Sequence, residues 1–202
     1  MAQSTSYYSS EELGGLGLAS CGTDVLISRN AVIYRADRVC VGNHVRIDDF
    51  ALLSGGDAAQ IRIGDHVHIA AHTALYGGGG LVIEDFVGVS ALTAVYSATD
   101  DYGGEMLTNP TVPTQFTRVI RQRVVLSRHV VVGAGSVILP GVTIGEGSAT
   151  GAMTLVNRDL DPWGIYVGAP ARLLRPRSRG LLAAEAELRA LEAQIDTAMG
   201  GK

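Results

Sequence analysis

The chain carries five histidines and, at Asp100-Asp101, a pair of adjacent aspartates whose types and spacing invite proton chemistry. His44, His66, His68, His72 and His129 each offer an imidazole that titrates near neutral pH, the property a general base needs. Asp100 and Asp101 open a stretch rich in turn formers, ready to take a proton, orient a histidine or bind polar hydroxyls; the bland reading is a solvated acidic turn. His66, His68 and His72 fall within seven residues, the one spacing that invites a zinc reading. Cys21 and Cys40 form no CxxC pair and no disulfide framework, so both read as reduced thiols.

The elements that must position these groups announce themselves by a six-residue beat. Val132, Ile138, Ile144, Thr150 and Val156 stand six apart, each preceded by two residues by Val130, Ser136, Val142, Ser148 and Thr154. Such a period predicts a parallel β-helix, an all-β solenoid in which each hexapeptide is one short strand plus a corner and about 18 residues close a coil. Extended backwards, the register gives inward residues Ile27 and Ile33; Val41, Ile47 and Leu53; Ile63, Ile69 and Leu75; Ile83, Val89 and Val95; and Leu126, Val132 and Ile138. Within each group the step is six, and the longer steps all follow the third strand of a coil. Every insertion therefore leaves one corner of the prism: Gly55-Gly56-Asp57, the run Gly77–Gly80, and a long excursion over 97–123. Insertions stacked on one side of a solenoid tend to line its binding face, and a loop this long is expected to be a binding arm.

Composition agrees with a narrow prism. The chain is 47% hydrophobic but 5% aromatic, and its 26 glycines suit recurrent tight corners. A net charge of −4 gives no electrostatic reason to expect nucleic acid or an acidic membrane surface. No apolar run approaches the roughly 20 residues of a membrane helix, and Met1–Ser10 reads as polar instead of a secretory signal, so a cytoplasmic location is expected. The expected layout is an N-terminal cap over 1–20, with a Ser9-x-x-Glu12 capping box, a β-helix over 21–176, and a C-terminal helix within 177–202. That helix carries Leu181, Leu188 and Ile195 on one heptad position, Ala184, Leu191 and Ala198 on another, and an i,i+4 pair Glu185–Arg189 assigned to its polar side.

The register also sorts the histidines. His44, His66 and His129 recur at one corner, with Phe86 filling the row between them, and read as stacked structural residues. His72 shares a row with Phe50 and Leu92. His68 points outward between Arg46 below and Gly88 above; the missing side chain at Gly88 leaves room over the ring, and Arg46 is expected to favour its neutral form. His68 leads as general base with His72 second, and an amine acceptor arriving neutral would need no protein base at all.

The hexapeptides, the arm, and the ending Val156-Asn157-Arg158-Asp159 through Trp163-Gly164-Ile165-Tyr166-Val167-Gly168-Ala169-Pro170-Ala171-Arg172 resemble the hexapeptide-repeat acyltransferases, including galactoside and maltose O-acetyltransferases and acetyltransferases of bacterial surface-sugar clusters. The resemblance implies a left-handed β-helix with a protruding loop, a homotrimer, acetyl-CoA as donor in the groove between prisms, a small sugar-like acceptor near the loop, and no metal. Where those sugar acetyltransferases carry a Gly-His-Pro type segment at the loop start, this chain reads Ala98-Thr99-Asp100-Asp101-Tyr102. Carried over residue by residue, Ala134, Gly151 and Ala152 are expected against the pantetheine, Asn157 and Arg158 near the adenosine, and Arg172 and Arg175 at its phosphates. Arg46, Tyr76, Gly78 and Tyr102 are the expected acceptor contacts. Two other readings stand beside this one: a non-catalytic β-helix scaffold, and a metalloenzyme like the γ-class carbonic anhydrases. Hydroxyl against amine, and acetyl against a longer acyl group, stay open at this level.

Overall fold

The computed structural model describes residues 6–199 of the 202. The start of the polar N-terminal segment and the Ala198 position of the helix stripe lie outside the residues or side chains described. The chain winds into a parallel β-helix whose strands fall in three sheets of six, eight and six strands. One coil shows the plan: Val39–Val41 in the first sheet, Arg46–Ile47 in the second, Leu52–Gly55 in the third, then Ile61–Ile63 again beside Val39–Val41. Each strand is only two to four residues long over most of the prism, because three flat faces must be closed by corners within one coil.

The six-residue beat maps onto the interior as the sequence predicts. Ile27, Ile47, Ile69, Val89 and Val132 pair in register up the second sheet and are all essentially buried. Ile33 in the first coil is only partly buried, since α1 (Ser10–Gly14) and its flanks cover the prism end incompletely. The Ser9 hydroxyl accepts from Glu12 N while Ser9 N donates to the Glu12 carboxylate, completing the predicted capping box.

The corner between the first and second sheets is held by side chains. Thr23 N donates to Asn43 Oδ1, Asn43 N to Asp65 Oδ1, and Asp65 N to Asp85 Oδ1, at 2.7–2.9 Å. This ladder occupies the space above Gly22, Gly42 and Gly64, where any Cβ would come within 2.6 Å of the coil above. Left-handed backbone at His44, His66, Phe86 and His129 turns the chain, and their rings stack at 4.7–5.1 Å.

The helix α2 (Leu181–Met199) lies along that ring ladder, meeting it with polar residues. Glu185 pairs with His129 at 2.9 Å and with Arg128, Arg189 sits 4.8 Å over Phe86, and Glu192 pairs with His66 at 2.9 Å. The expected i,i+4 pair of Glu185 and Arg189 on the polar side forms at 3.7 Å, but that polar side faces the prism, and Leu191 is exposed. A row of imidazoles offers hydrogen bonds that an apolar stripe cannot answer, and Leu181 and Leu188 pack beside it. Arg177 anchors the approach to α2 by donating to the carbonyls of His129, Gly147 and Ser148, and its burial lowers the guanidinium pKa.

The insertions all leave the corner after the third sheet, behind Val32–Tyr34, Leu52–Gly55, Ala74–Gly77 and Ala94–Tyr96, which are neighbours there. The arm is rooted by an antiparallel pair, Ala98–Thr99 against Ile120–Arg121. Gly79 admits this root, since a Cβ there would lie 2.1 Å from Ser97 O. Opposite that corner stands the second sheet.

Candidate active site

His68 opens the strand His68–Ile69 and projects outward from the second sheet, directly between Arg46 and Gly88 as the register predicts. A Cβ built on Gly88 meets nothing within 4 Å. The space belongs to a cleft of about 170 Å³ lined by His68, Ala70, Gly88, Ser90, Ala91 and Val131. What the sequence missed is Asp48. Its Oδ2 lies 2.7 Å from His68 Nε2, and its Oδ1 accepts from Arg46 Nε at 2.6 Å and from Tyr7 Oη at 3.2 Å. Arg46 is thus committed to a carboxylate and does not face the imidazole as a lone cation, which corrects the expected role of its charge. Its outward position two residues after Arg46 was the available signal, since alternate strand positions share a face.

Burial alone would raise the Asp48 carboxyl, but hydrogen bonds and the charges of His68 and Arg46 outweigh it and hold the pKa below the usual range. The same contact, after burial, pushes the Tyr7 phenol up. In its neutral form, with Nε2 donating to the Asp48 carboxylate, His68 presents its lone pair at Nδ1, the arrangement by which a carboxylate orients a general base. Ser90 adds a hydroxyl to the cleft that has no partner among the described residues.

His72 is a corner residue with left-handed backbone, stacked on Phe50 at 5.0 Å. His66, His68 and His72 engage Glu192, Asp48 and Phe50 respectively, so the three rings that suggested a zinc site face three different ways. The ligand atoms of His44, His66 and Glu192 do come within 4.8 Å of one another, beside a cavity of about 730 Å³. The two imidazoles there are stacked with an interplanar angle of 10°, so their in-plane lone pairs run side by side and do not converge as tetrahedral ligation requires.

On the arm, Asp101 is buried: Oδ1 accepts from Gly103 N at 2.9 Å and Oδ2 lies 3.3 Å from Arg118. This carboxylate closes the arm, so neither the solvated turn nor a free proton acceptor describes it. Asp100 has no hydrogen bond or ion pair among the described residues. Tyr76 stacks on Tyr96 at 4.9 Å, Tyr102 is nearly fully exposed at the arm, and Gly78 packs toward Ala98. The expected acceptor residues therefore fall in two groups, Arg46 with His68 on the second sheet, and Tyr76, Gly78 and Tyr102 at the opposite corner.

From the His68 cleft, small residues continue along the corner through Gly133-Ala134 to Gly151-Ala152. The glycines serve stacking as well, since a Cβ on Gly133 would lie 2.4 Å from Gly151 C. At the far end, Ala171 N donates to Leu155 O, and Arg172 pairs with Val167. Arg175 stands farther along the same strand, Arg172–Pro176, opposite Ile165. Arg158, Arg172 and Arg175 are exposed and have no carboxylate partner among the described residues.

No family model matches the chain. The chain is 37% identical to the dTDP-4-amino-4,6-dideoxy-D-glucose acyltransferase of Escherichia coli over 179 residues, 89% of this chain and 93% of that protein. It belongs to the hexapeptide-repeat sugar acyltransferases. The structure of AntD, an N-acyltransferase from Bacillus cereus in complex with dTDP and 3-hydroxybutyryl-CoA, superposes with a TM-score of 0.88 at 46% identity, covering 94% of this chain and all of that one. A hexapeptide-repeat acetyltransferase of Vibrio cholerae solved with acetyl-CoA gives 0.52 at 28% identity over 74% of this acyltransferase and 72% of that chain. The protein is a CoA-dependent acyltransferase, which sets aside the scaffold and metalloenzyme readings.

Proposed function

We propose that the enzyme transfers an acyl group from acyl-CoA to the amine of a dTDP-linked 4-amino-4,6-dideoxy sugar, forming an amide. The observation that carries this reading is near full-length similarity, at 46% identity, to an N-acyltransferase whose variant was solved with dTDP-4-amino-4,6-dideoxyglucose and coenzyme A. In the reaction the amine nitrogen attacks the thioester carbonyl, the C–S bond breaks, and the CoA thiolate leaves as its thiol by taking up the proton that the base removed from nitrogen. His68 Nδ1 takes the amine proton while Asp48 holds Nε2–H, and the Ser90 hydroxyl donates toward the sulfur or oxygen where negative charge gathers. Pantetheine lies along Ala134, Gly151 and Ala152, with Asn157 and Arg158 at the adenosine and Arg172 and Arg175 at the phosphates.

A homotrimer supports the same chemistry. The arm leaves the corner across from the sheet that carries the His68 cleft, which favours a trimer in which a neighbouring chain's arm closes each cleft and brings Asp100 to the sugar ammonium. We place the enzyme in the cytoplasm, where acyl-CoA and nucleotide sugars are made; no helix among the described residues is long and apolar enough to cross a membrane. The test is His68→Ala. It is expected to lower kcat at least about tenfold with an unchanged circular-dichroism spectrum. Unchanged kcat would remove His68 as the base and leave the amine to Asp100 or to unassisted attack.

A further inference from the structure

The third sheet carries an aromatic row with one rung missing. Its outward positions read Tyr34, Ser54, Tyr76 and Tyr96 on four successive strands, each paired in register with the next. Where two tyrosines are adjacent they stack, Tyr76 on Tyr96 at 4.9 Å with an interplanar angle of 7°. That spacing is one inter-strand step. Between Tyr34 and Tyr76 the register leaves two steps, about 9.6 Å, with only a serine hydroxymethyl beneath. A planar ring inserted there would sit about 4.8 Å from each tyrosine, within the range of stacked aromatic pairs.

We propose that this vacancy over Ser54 is the slot for the pyrimidine base of the nucleotide-sugar acceptor, a reading that rests on the function proposed above. Three observations favour a base with a phosphate tail. Tyr34 and Tyr76 both have exposed surface, at 57% and 37%. Arg35 and Arg38 stand at the corner next to the slot, close enough that a Cβ on Gly55 would lie 2.7 Å from Arg38 Cβ. Arg38 Nε is buried without a hydrogen-bond partner, its nearest carboxylate being Asp37 Oδ2 at 3.4 Å. Arg35 is meanwhile held by Asp37 and by Asp57, an almost fully exposed carboxylate that a diphosphate can replace. The adenine of CoA is the other planar ring available. The slot lies on the first three strands of the third sheet, whereas Asn157 and Arg158 follow the last. The corner beside the slot is also the one that roots the arm.

Calorimetric titration with dTDP and, separately, with CoA tests the slot in the wild type, Ser54→Phe and Tyr34→Ala. Ser54→Phe supplies the missing rung and is expected to weaken dTDP at least about tenfold while CoA affinity and thermal midpoint hold. Tyr34→Ala removes one wall at an exposed site and is expected to weaken dTDP between about fivefold and a hundredfold, the range for loss of one base–aromatic stack. Undiminished dTDP binding in either folded variant overturns the slot, as does a parallel loss of CoA in both. A wild type that acylates amino sugars without binding dTDP also overturns it, yet leaves acyl transfer standing. One that binds dTDP at the slot but transfers nothing rejects the function alone.

Discussion

Gly88→Val offers the sharpest test of the cleft, because it sends stability and activity in opposite directions. Gly88 lies mid-sheet with backbone any residue can adopt, and its Cβ would touch nothing within 4 Å. Replacing such a glycine removes unfolded-state freedom and is worth about 0.4–1 kcal/mol, and Val is at home in a strand. For a domain of this size that gain corresponds to roughly 1–4 °C in thermal midpoint. The same methyls would occupy part of a cleft of only about 170 Å³, directly over His68 and beside Ser90. Displacing a thioester by about 1 Å costs on the order of a hundredfold, so kcat/KM is expected to fall at least tenfold. Thermal denaturation followed by circular dichroism reads the first quantity, and initial rates of thiol release from acyl-CoA with amino-sugar acceptor read the second. A variant with wild-type kcat/KM would refute the placement of the thioester beside His68. Destabilisation by more than about 1 kcal/mol would refute the open space above the ring.

Three further outcomes follow from the geometry. Replacing Arg158, Arg172 and Arg175 together by Ala is expected to raise KM for acyl-CoA about tenfold or more and to flatten its salt dependence, with acceptor KM unchanged; equal salt slopes would place the CoA phosphates elsewhere. Glu185→Ala leaves His129 buried without its carboxylate, and it is expected to cost about 1–3 kcal/mol and speed hydrogen exchange in α2 over that of the prism; uniform exchange would mean the ring ladder does not hold the helix. The Arg29 hydrogen bond, followed by those at Ser9, lowers the Glu12 pKa to about 2. Its contribution is complete above the ordinary carboxyl range and lost as pH falls through about 2, so amide protection in α1 should fade across that window; protection unchanged at pH 2 would contradict the pairing.

The inward register, the common corner of every insertion, the recurrent row His44–His66–Phe86–His129 and the position of His68 between Arg46 and Gly88 are all legible in the sequence. They depend on stacking at a fixed period, so one coil predicts the next. The helix seam was less legible, because its partners are histidines and a phenylalanine far away in sequence, and a heptad count weighs only apolar residues. Asp101 read as a free proton acceptor, a histidine orienter or a hydroxyl binder, with a solvated turn as the alternative, because its partner Arg118 lies seventeen residues on at the other end of the arm.

Sequence alone determined that a prism would form, which residues would fill it and where the chain would leave it, because a period of six commits each side chain to inside, outside or corner. Tertiary structure decided which outward side chains meet. It drew Asp48 onto His68 across one coil, turned Glu185 and Glu192 onto the ring ladder, and set Arg118 against Asp101. Those contacts depend on rotamers and on the hydrogen-bond partners within reach, and the repeat constrains neither.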